Sequence, residues 1–386
     1  MQASSKRATI IFREELLPSS ETFIPAQVDS LLNYHPYYVG TKLVNTKLLE
    51  HTLEQKRVIV PLEGKNQFYG RIFKFTGYIL PSWLNRIQQI DAKLIHAHFG
   101  LDGVLALPLA RKLGLPVVVT FHGHDITIAD SGEPGPGWWT HQFYIRQRRL
   151  LFEQAKLVIA VSNFIRFRLI EKGCPEQKIV VHYIGVDKDK FRPDPSVPRK
   201  PIVLFVGRLV ERKGCEYLIR AMAQVQALIP DVELVVIGDG QLRSSLEQLA
   251  EKMLRRYKFL GFQSPESVRT WMNQAKVFSL PSITAQSGDM EAFGMVFAEA
   301  QAMGLPVVSF SSGGIPEAVA DGETGLLTTE RNSEGLATCI LRLLEDEELW
   351  QQFSQKGQER VRTTFNLKEQ TRTLESLYEK VLSQDI

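Results

Sequence analysis

A short turn rich in cations follows the first strand-like run of the second half of the sequence. The run covers residues 202–206, and the turn at 207–214 contains a glycine, Arg208, Arg212 and Lys213 before a helical pattern begins. Backbone N–H groups at the start of a helix, together with cationic side chains, bind anions. The turn lacks the spacing of a P-loop. It predicts a phosphate site of another kind, and the alternative is a solvated basic turn.

Two glutamates eight residues apart form the second candidate. Glu291 follows a run at 277–280 and is expected to open a helix that also carries Glu299. Eight helical residues correspond to about 12 Å of rise and about 80° of rotation, so the carboxylates could hold two groups separated by roughly a diphosphate. Because the neighbours of Glu299 in the sequence are apolar, its charge requires a hydrogen-bonding partner. The alternative is one carboxylate at a helix N-terminus and one on the surface.

Histidines follow two strand-like runs of the first half. His122 and Asp125 come after residues 116–121, and His96 and His98 alternate along a run that begins at 94–95. An imidazole at the end of a buried strand can hydrogen-bond to substrate hydroxyls. The spacing does not aim four ligands at one ion, so we expect no metal site. For each histidine the alternative is a structural hydrogen bond in the core.

Short apolar runs alternate with amphipathic stretches in both halves of the chain. The runs lie at 9–12, 58–60, 94–95, 116–121, 157–161 and 179–183, and then at 202–206, 233–237, 277–280 and 306–310. Runs that are apolar on both faces indicate buried parallel strands, and the stretches between them have helical spacing. The pattern predicts two doubly wound α/β domains, whose ligands bind beyond the carboxyl ends of the strands.

A proline-rich segment divides the sequence. Residues 192–201 contain four prolines, which exclude a helix or a central strand. We therefore predict a first domain at 1–191, a linker at 192–201 and a second domain at 202–364. Residues 365–386 are expected to form a C-terminal helix that packs back toward the first domain.

Composition limits the class of protein. The 386 residues are 44% hydrophobic and 23% charged, which is typical of a soluble globular protein and excludes fibrous or disordered chains. No run approaches the roughly 18 apolar residues of a membrane span, and the first residues lack the apolar core of a signal peptide. Three cysteines far apart in the chain do not suggest a disulfide framework, so we expect a cytoplasmic location.

The charge is distributed unevenly. Residues 1–195 carry a net charge of +7, and the remainder carries −4. A basic first half favours anionic partners, but dispersed cations without a recognition motif argue against nucleic acid. Residues 143–152 combine cations with apolar residues at helical spacing, which predicts peripheral binding to an anionic membrane, on the inner face of the plasma membrane. The alternative is a helix packed on the core of the domain.

These motifs together resemble glycosyltransferase family 4. The resemblance rests on Gly-Arg-Leu-x3-Lys-Gly at 207–214, Glu-x7-Glu at 291–299, Gly-Gly-Ile-Pro-Glu at 313–317 and Asp-Gly-x-x-Gly-Leu-Leu at 321–327. The first half adds His-Ala-His-Phe-Gly at 96–100, Thr-Phe-His-Gly-His-Asp at 120–125, Ala-Val-Ser-Asn at 160–163 and Gly-Val-Asp at 185–187. Residues 17–24 resemble the branch that builds bacterial exopolysaccharide and colanic-acid-type polymers. The resemblance implies the GT-B fold, in which two Rossmann-like domains face a central cleft.

The resemblance also implies a role for each matched residue. Arg208 and Lys213 would neutralise the donor diphosphate. Glu299 would bind the ribose and Glu291 the donor hexose, while His122 would meet that sugar from the facing domain. Of these, His122, Arg208, Lys213 and Glu291 are expected to act in catalysis. The further implied donor-binding residues are Gly207, Gly261, Phe262, Phe293, Gly294 and Met295. The implied acceptor-binding residues are Ser20, Glu21 and Asp125.

The implied activity is that of a retaining hexosyltransferase. It would move a hexose from a nucleoside-diphosphate sugar to a glycan or polyprenyl-linked saccharide in cell-surface polysaccharide synthesis. Stabilising the leaving diphosphate with fixed cations and helix amides needs no metal, so no cofactor is expected. Two alternatives remain open, namely a GT-B-fold sugar-nucleotide epimerase and a non-catalytic protein that binds nucleotide sugars or glycans.

Overall fold

The computed structural model describes residues 6–16, 21–44, 58–61, 67–130 and 138–383, which divide into two compact units. Unit 1 is Met1–Gly185 with Leu367–Ile386, and unit 2 is Val186–Asn366. The chain changes units at Val186, whose N–H donates to the carbonyl of Phe365 at 2.7 Å. The proline-rich segment lies within unit 2, where the N–H of Asp194 donates to Oδ1 of Asn273 at 2.9 Å.

Unit 1 consists of a seven-stranded sheet and a small two-stranded sheet, together with helices; the small sheet pairs the strands numbered 2 and 4 below. Its described strands are β1 Arg7–Phe12, β2 Glu15–Leu16, β3 Tyr34–Val39, β4 Lys42–Leu43, β5 Val58–Ile59, β6 Ala92–His98, β7 Val117–Phe121, β8 Leu157–Ala160 and β9 Ile179–Val181. Its described helices are α1 Phe23–Asp29, α2 Gln67–Thr76, α3 Pro81–Gln88, α4 Gly100–Leu113, α5 His124–Thr127, α6 Trp138–Gln154, α7 Asn163–Glu171 and, from the end of the chain, α15 Leu367–Ser383.

Unit 2 repeats this architecture with a six-stranded sheet. Its strands are β10 Ile202–Val206, β11 Glu233–Ile237, β12 Tyr257–Phe259, β13 Val277–Ser279, β14 Val307–Phe310 and β15 Gly325–Thr328. Its helices are α8 Cys215–Leu228, α9 Arg243–Met253, α10 Pro265–Gln274, α11 Met295–Ala302, α12 Ile315–Ala318, α13 Ser333–Glu345 and α14 Glu347–Thr364.

Both main sheets are parallel and doubly wound. The strand order is β5-β3-β1-β6-β7-β8-β9 in unit 1 and β12-β11-β10-β13-β14-β15 in unit 2. In unit 2 the register pairs Val206 with Ile237 on one side of β10, and Val203 with Val277 on the other. The order of strands therefore reverses at β10 in unit 2 and at β1 in unit 1. Ligands of doubly wound sheets bind at such a switch point. The predicted fold class is confirmed.

The C-terminal helix α15 completes the core of unit 1. Its apolar residues Leu374, Leu377, Tyr378 and Val381 are buried in one cluster with side chains of the central strands. The carboxylate of Glu375 accepts hydrogen bonds from backbone N–H groups 2.6 and 2.7 Å away, at Leu32 and Asn33. Helix α15 is thus held by both apolar burial and a buried, fully hydrogen-bonded carboxylate.

Helix α6 contains the segment at 143–152. Tyr144, Leu151 and Phe152 are buried, and so is Arg148, which forms an ion pair with Asp130 at 2.9 Å. One face of this helix therefore packs on the interior, as in the alternative of packing on the core, whereas Trp139 near its start is 72% exposed. None of the described helices is long and apolar enough to cross a membrane.

Candidate active site

The loops that follow β10, β13 and β14 meet at the carboxyl edge of the unit 2 sheet. A Cβ on Gly214, where φ is +62°, would lie 1.9 Å from the carbonyl oxygen of Pro281. Likewise, a Cβ on Gly313 would lie 2.3 Å from the carbonyl oxygen of Glu291, and one on Gly314 would lie 1.9 Å from that of Ala292. Because only glycine permits these approaches, the three loops form one compact surface.

A buried cluster of charges joins the basic turn to the glutamate loop. Nζ of Lys213 lies 2.5 Å from Oε2 of Glu291, and Nη1 of Arg212 lies 3.3 Å from Oε1. The hydroxyl of Ser282 donates to Oε2 at 3.2 Å. Burial alone would raise the pKa of Glu291, but the charges of Lys213 and Arg212 lower it to about 2. Glu291 is therefore ionised. It forms an ion pair with the ammonium group of Lys213, the group that is predicted to face the diphosphate.

The helix predicted to open at Glu291 begins later. Helix α11 starts at Met295, after Gly294 with φ of +81°, and the carbonyl of Glu291 accepts from the N–H of Gly314 at 2.8 Å. The left-handed glycine and this loop contact prevent the helix from extending back to residue 291. The predicted rise of about 12 Å and rotation of about 80° between Glu291 and Glu299 are therefore wrong. A loop carries the first glutamate and a helix carries the second.

Glu299 differs electrostatically from Glu291. It is half-buried on α11, and within the described residues its carboxylate makes no hydrogen bond. Burial raises its pKa to about 7, and only the charge of Arg269 opposes that change. The partner expected for this charge is thus absent from the described part of the chain, which leaves both carboxylate oxygens available to a ligand.

Arg208 is the accessible cation of this edge. Its side chain is exposed, and its guanidinium forms no hydrogen bond or ion pair with the residues that the structure describes. The turn around it is held by backbone contacts, since the N–H of Gly207 donates to the carbonyl of Ile237 at 2.9 Å. A Cβ on Gly238 would lie 1.9 Å from the carbonyl oxygen of Gly207, so this turn also needs glycine.

The other predicted donor-binding residues lie in loops of unit 2 and at the start of α11. Gly261 has a φ of +66° and accepts a hydrogen bond from the N–H of Gly238, and the side chain of Phe262 after it is 71% exposed. Phe293 is buried, with its ring centroid 5.1 Å from that of Phe365. Its side chain thus stabilises the loop, which leaves backbone groups as its means of contact with a ligand.

In unit 1, His122 lies at the carboxyl end of β7. Its Nε2 is 3.0 Å from Nδ1 of His98, and its ring centroid is 5.0 Å from that of Phe23 and 4.6 Å from that of Phe99. Burial lowers the pKa of His122 well below its usual value, and the charge of Arg13 acts in the same direction. The imidazole is therefore neutral, and its buried Nδ1 has no hydrogen-bond partner among the described residues.

The carboxylate of Asp125 binds backbone groups. Oδ2 accepts from the N–H of Gly100 at 2.8 Å, and Oδ1 accepts from the N–H of Gly123 at 2.9 Å. Burial raises its pKa to about 6. These contacts give Asp125 a structural role, because they fasten the turn after β7 to the start of α4. Its contact with an acceptor stays a prediction.

A second ionic cluster, in unit 1, was not predicted. Arg13, directly after β1, pairs through Nη1 with Asp102 and through Nη2 with Glu21 at 2.7 Å. Its guanidinium lies 4.4 Å above the ring of Phe99. Burial raises the pKa of Glu21 to about 7, although the charge of Arg13 lowers it. The predicted acceptor residue Ser20 lies outside the described residues. Position after a strand, the rule that located His122, would also have located Arg13.

The two edges offer different chemistry. Unit 2 presents an unpaired guanidinium, an ammonium paired with a carboxylate, and a free carboxylate, which can together bind an anion and hydroxyl groups. Unit 1 presents a neutral imidazole with one unpartnered nitrogen. No group of three or more His, Cys, Asp or Glu side chains within the described ranges could hold a metal ion.

Comparison with known proteins associates both units with sugar transfer. Residues 187–360 match the family described as glycosyl transferases group 1, and residues 43–190 match Glycosyltransferase Family 4. The chain is 32% identical over 302 residues to the putative colanic acid biosynthesis glycosyltransferase WcaL of Salmonella typhimurium, which covers 76% of this chain and 72% of WcaL.

A second relative and a solved structure extend the comparison. The chain is 37% identical over 278 residues to a GDP-mannose-dependent monoacylated alpha-(1-6)-phosphatidylinositol monomannoside mannosyltransferase of Corynebacterium glutamicum, with 68% of this chain and 69% of that one covered. The crystal structure of HepE from Anabaena in complex with UDP-glucose superposes with a TM-score of 0.76 at 24% identity, covering 97% of this chain and 99% of that one.

Proposed function

Since the chain belongs to glycosyltransferase family 4 and has the GT-B fold, we propose that it transfers a hexose from a nucleoside-diphosphate sugar to a glycan or polyprenyl-linked saccharide in cell-surface polysaccharide synthesis. That the chain is a glycosyltransferase follows from its family. The donor and acceptor classes are the proposal. One observation carries it, namely that Arg208 and Lys213 lie in the turn after β10, that Lys213 pairs with Glu291 in the loop after β13, and that the unpartnered Glu299 lies on α11, which follows that loop.

Each of these groups suits one part of the donor. The unpaired guanidinium of Arg208 and the ammonium of Lys213 bind the diphosphate, and the free carboxylate of Glu299 accepts hydrogen bonds from the ribose hydroxyls. Glu291 binds hydroxyls of the hexose. Because Glu291 is paired with Lys213 in the free protein, the diphosphate takes over part of its contact with the ammonium group when the donor binds.

The proposed reaction retains the configuration of the hexose. The bond from the anomeric carbon to the phosphate oxygen breaks as an acceptor hydroxyl oxygen bonds to the same face of that carbon, and the departing phosphate takes the hydroxyl proton. Negative charge develops on the leaving diphosphate, and preorganised cations stabilise it without reorganisation. His122 contacts the hexose through Nδ1, and Glu21 and Asp125 belong to the acceptor side.

Labelled donors test this function against its alternatives. UDP-, GDP- and ADP-hexoses are first ranked by the increase in Tm that they cause, and the stabilising donors are then incubated with lipid-linked saccharides. We expect label to move from one donor to an acceptor with retained configuration. Recovery of an epimerised donor would favour an epimerase. Binding of a donor without turnover, with every acceptor tried, would favour a binding protein.

We propose that transfer requires no metal ion. Arg208 and Lys213 together supply the positive charge that a divalent cation provides to a diphosphate in other enzymes. The rate of transfer should be the same in EDTA as in buffer with added magnesium or manganese. Loss of transfer in EDTA that either metal restores would contradict the proposal.

We further propose that unit 1 binds an anionic membrane surface. The rings of Phe75 and Phe143 meet at 5.9 Å where α2 approaches α6, and Phe75 and Tyr78 are 56% and 54% exposed. The side chains of Arg71 and Arg146 on the same two helices are exposed as well. Exposed aromatic groups next to cations are typical of proteins that lie on anionic lipid.

Flotation with liposomes tests this surface. The protein should float with vesicles that contain anionic phospholipid and remain below neutral ones, and the double variant Phe75→Ala/Tyr78→Ala should float less. Leu32→Ala is the control, because Leu32 is a similarly exposed apolar residue of unit 1 at 54%. Equal recovery with neutral and anionic vesicles, or no flotation, would contradict the proposal.

A further inference from the structure

Three histidine rings form a row in unit 1. The ring centroids of His96 and His98 on β6 are 4.3 Å apart, and those of His98 and His122 are 5.3 Å apart. Both nitrogens of His96 are bonded, Nδ1 to the hydroxyl of Tyr378 at 2.6 Å and Nε2 to that of Thr120 at 2.7 Å. His96 is therefore fixed by the core and by α15.

His98 is placed differently from His96. Its only side-chain hydrogen bond among the described residues joins Nδ1 to Nε2 of His122 at 3.0 Å, and its buried Nε2 has no partner there. Its carbonyl accepts from Nη1 of Arg13 at 3.2 Å, which holds the end of β6. A fully buried imidazole used for a single contact to a neighbouring histidine calls for an explanation beyond filling the core.

The aromatic contacts of His122 do not determine which way its ring nitrogens point. Phe23 and Phe99 flank the ring and limit its tilt. An aromatic face does not distinguish a ring nitrogen from a ring carbon, so these contacts do not prevent a half-turn of the imidazole that exchanges Nδ1 with Cδ2. Among the described residues, the bond to His98 is the one polar contact of this ring that does.

The same bond couples the two tautomers. Burial lowers the pKa of both histidines well below the usual value, so each ring carries one N–H. If His98 donates through Nδ1, then His122 carries its proton on Nδ1. If His122 donates through Nε2, its Nδ1 is an acceptor. A sugar hydroxyl can pair with Nδ1 of His122 in either tautomer, because a hydroxyl both donates and accepts hydrogen bonds.

We infer that His98 is a positioning residue that holds the ring of His122 in one orientation and couples the tautomer of His122 to its own, with Nδ1 of His122 as the atom that bonds to a sugar hydroxyl. The inference rests on the proposed function for the role of Nδ1, but the coupling between the two rings is a property of the protein alone. His98 itself touches no substrate. Its effect should therefore appear in kcat and in the state of His122, with nucleotide binding unchanged.

A pair of substitutions separates positioning from packing. His98→Asn keeps a polar atom near the place of Nδ1, whereas His98→Phe keeps an aromatic ring and removes the hydrogen bond. The ¹⁵N chemical shifts of the His122 ring should be similar in the unsubstituted protein and in His98→Asn, and should change in His98→Phe, where the tautomer of His122 is no longer coupled to a partner. The kcat should fall roughly tenfold in His98→Phe, the value of one lost hydrogen bond, and recover in His98→Asn.

Two further variants serve as the control and as the replacement if His98→Phe does not fold. His182→Phe removes another buried histidine of unit 1, one bonded to the carbonyl of Gln370 at 2.8 Å, and should change Tm without changing the ¹⁵N shifts of His122. If His98→Phe does not fold, His98→Gln replaces it, because its amide lies near the place of Nε2 and does not replace Nδ1.

Unchanged ¹⁵N shifts of His122 in His98→Phe or His98→Gln would overturn the inference, as would equal kcat in all folded variants. A protein with no transferase activity whose His122 shifts still respond would overturn the proposed function and support the positioning.

Discussion

Glu299→Ala is expected to weaken the binding of free nucleoside diphosphate by about one to two decades, the value of a lost hydrogen bond to a charged group. Glu291→Ala should not weaken it. Within the described residues the carboxylate of Glu299 is unpartnered, so both of its oxygens are free to bind a ligand, whereas removal of Glu291 releases Lys213 for the phosphates. The kcat of Glu291→Ala should fall instead, because contacts to the hexose count most as charge develops on it.

Calorimetric titration of nucleoside diphosphate into each folded variant measures this difference. Glu291→Gln is the matched control, since it keeps the size of the side chain and its hydrogen bond from Ser282 while removing the charge. An equal loss of nucleotide affinity in Glu291→Ala and Glu299→Ala would contradict the division of roles. Normal binding and turnover in both would place the active site elsewhere.

The same titration has a pH dependence whose sign can be stated. Burial raises the pKa of Glu299 to about 7, so the side chain is mostly protonated at pH 6 and mostly ionised at pH 8. Ribose hydroxyls bond more strongly to the carboxylate, so nucleotide affinity should increase from pH 6 to pH 8. In Glu299→Gln the part of this increase that belongs to Glu299 should disappear, which leaves the titration of the phosphates themselves as the baseline.

Tyr378→Ala is expected to lower the stability of unit 1 by about 3–5 kcal/mol, the usual cost of removing a buried aromatic side chain. Tyr378 is fully buried, its ring meets that of Tyr34 at 5.1 Å, and its hydroxyl bonds to Nδ1 of His96. Tyr378→Phe should cost less, about 1–3 kcal/mol, because it only leaves the buried nitrogen of His96 without a partner.

Amide hydrogen exchange measures this effect in the correct unit. A protein of two units need not unfold in one step, so exchange rates in β6 and β7 are preferable to a single Tm. Phe262→Ala serves as the control, because that exposed ring lies in unit 2 and should leave these rates unchanged. Unaltered protection of β6 and β7 in Tyr378→Ala would show that α15 does not support the sheet.

The sequence predicted the fold class, the family and all ten of the strand-like runs that it singled out, because valine-rich runs apolar on both faces have few alternatives to a parallel sheet. It missed β3, in which His35 and Pro36 interrupt the apolar pattern. That strand pairs along its length with β1, and it tolerates Pro36 because β5 pairs only with Tyr38 and Val39, so no β5 residue is opposite Pro36. It also missed the short strands β2, β4 and β12, and β15, whose first residue is Gly325.

The candidate site was predictable in its composition and less so in its connections. Position after a strand located Arg208, Lys213 and His122. The pairing of Lys213 with Glu291 joins residues 78 apart in the chain and depends on the close approach of loops at Gly214 and Gly313, which no local pattern records. The start of α11 depended on the left-handed conformation of Gly294, which a sequence pattern does not show.

The position of α15 has a consequence for the order in which the chain folds during synthesis. Unit 2 is one continuous stretch, whereas the sheet of unit 1 awaits a helix that emerges from the ribosome only after all of unit 2 has been made. Domains generally fold as units while they are synthesised. The nascent chain should therefore hold a finished second unit before the first, with the apolar faces of β1, β6 and β7 uncovered for the time needed to translate residues 186–366. During that interval this apolar surface is accessible to other proteins, and α15 must displace them when it packs.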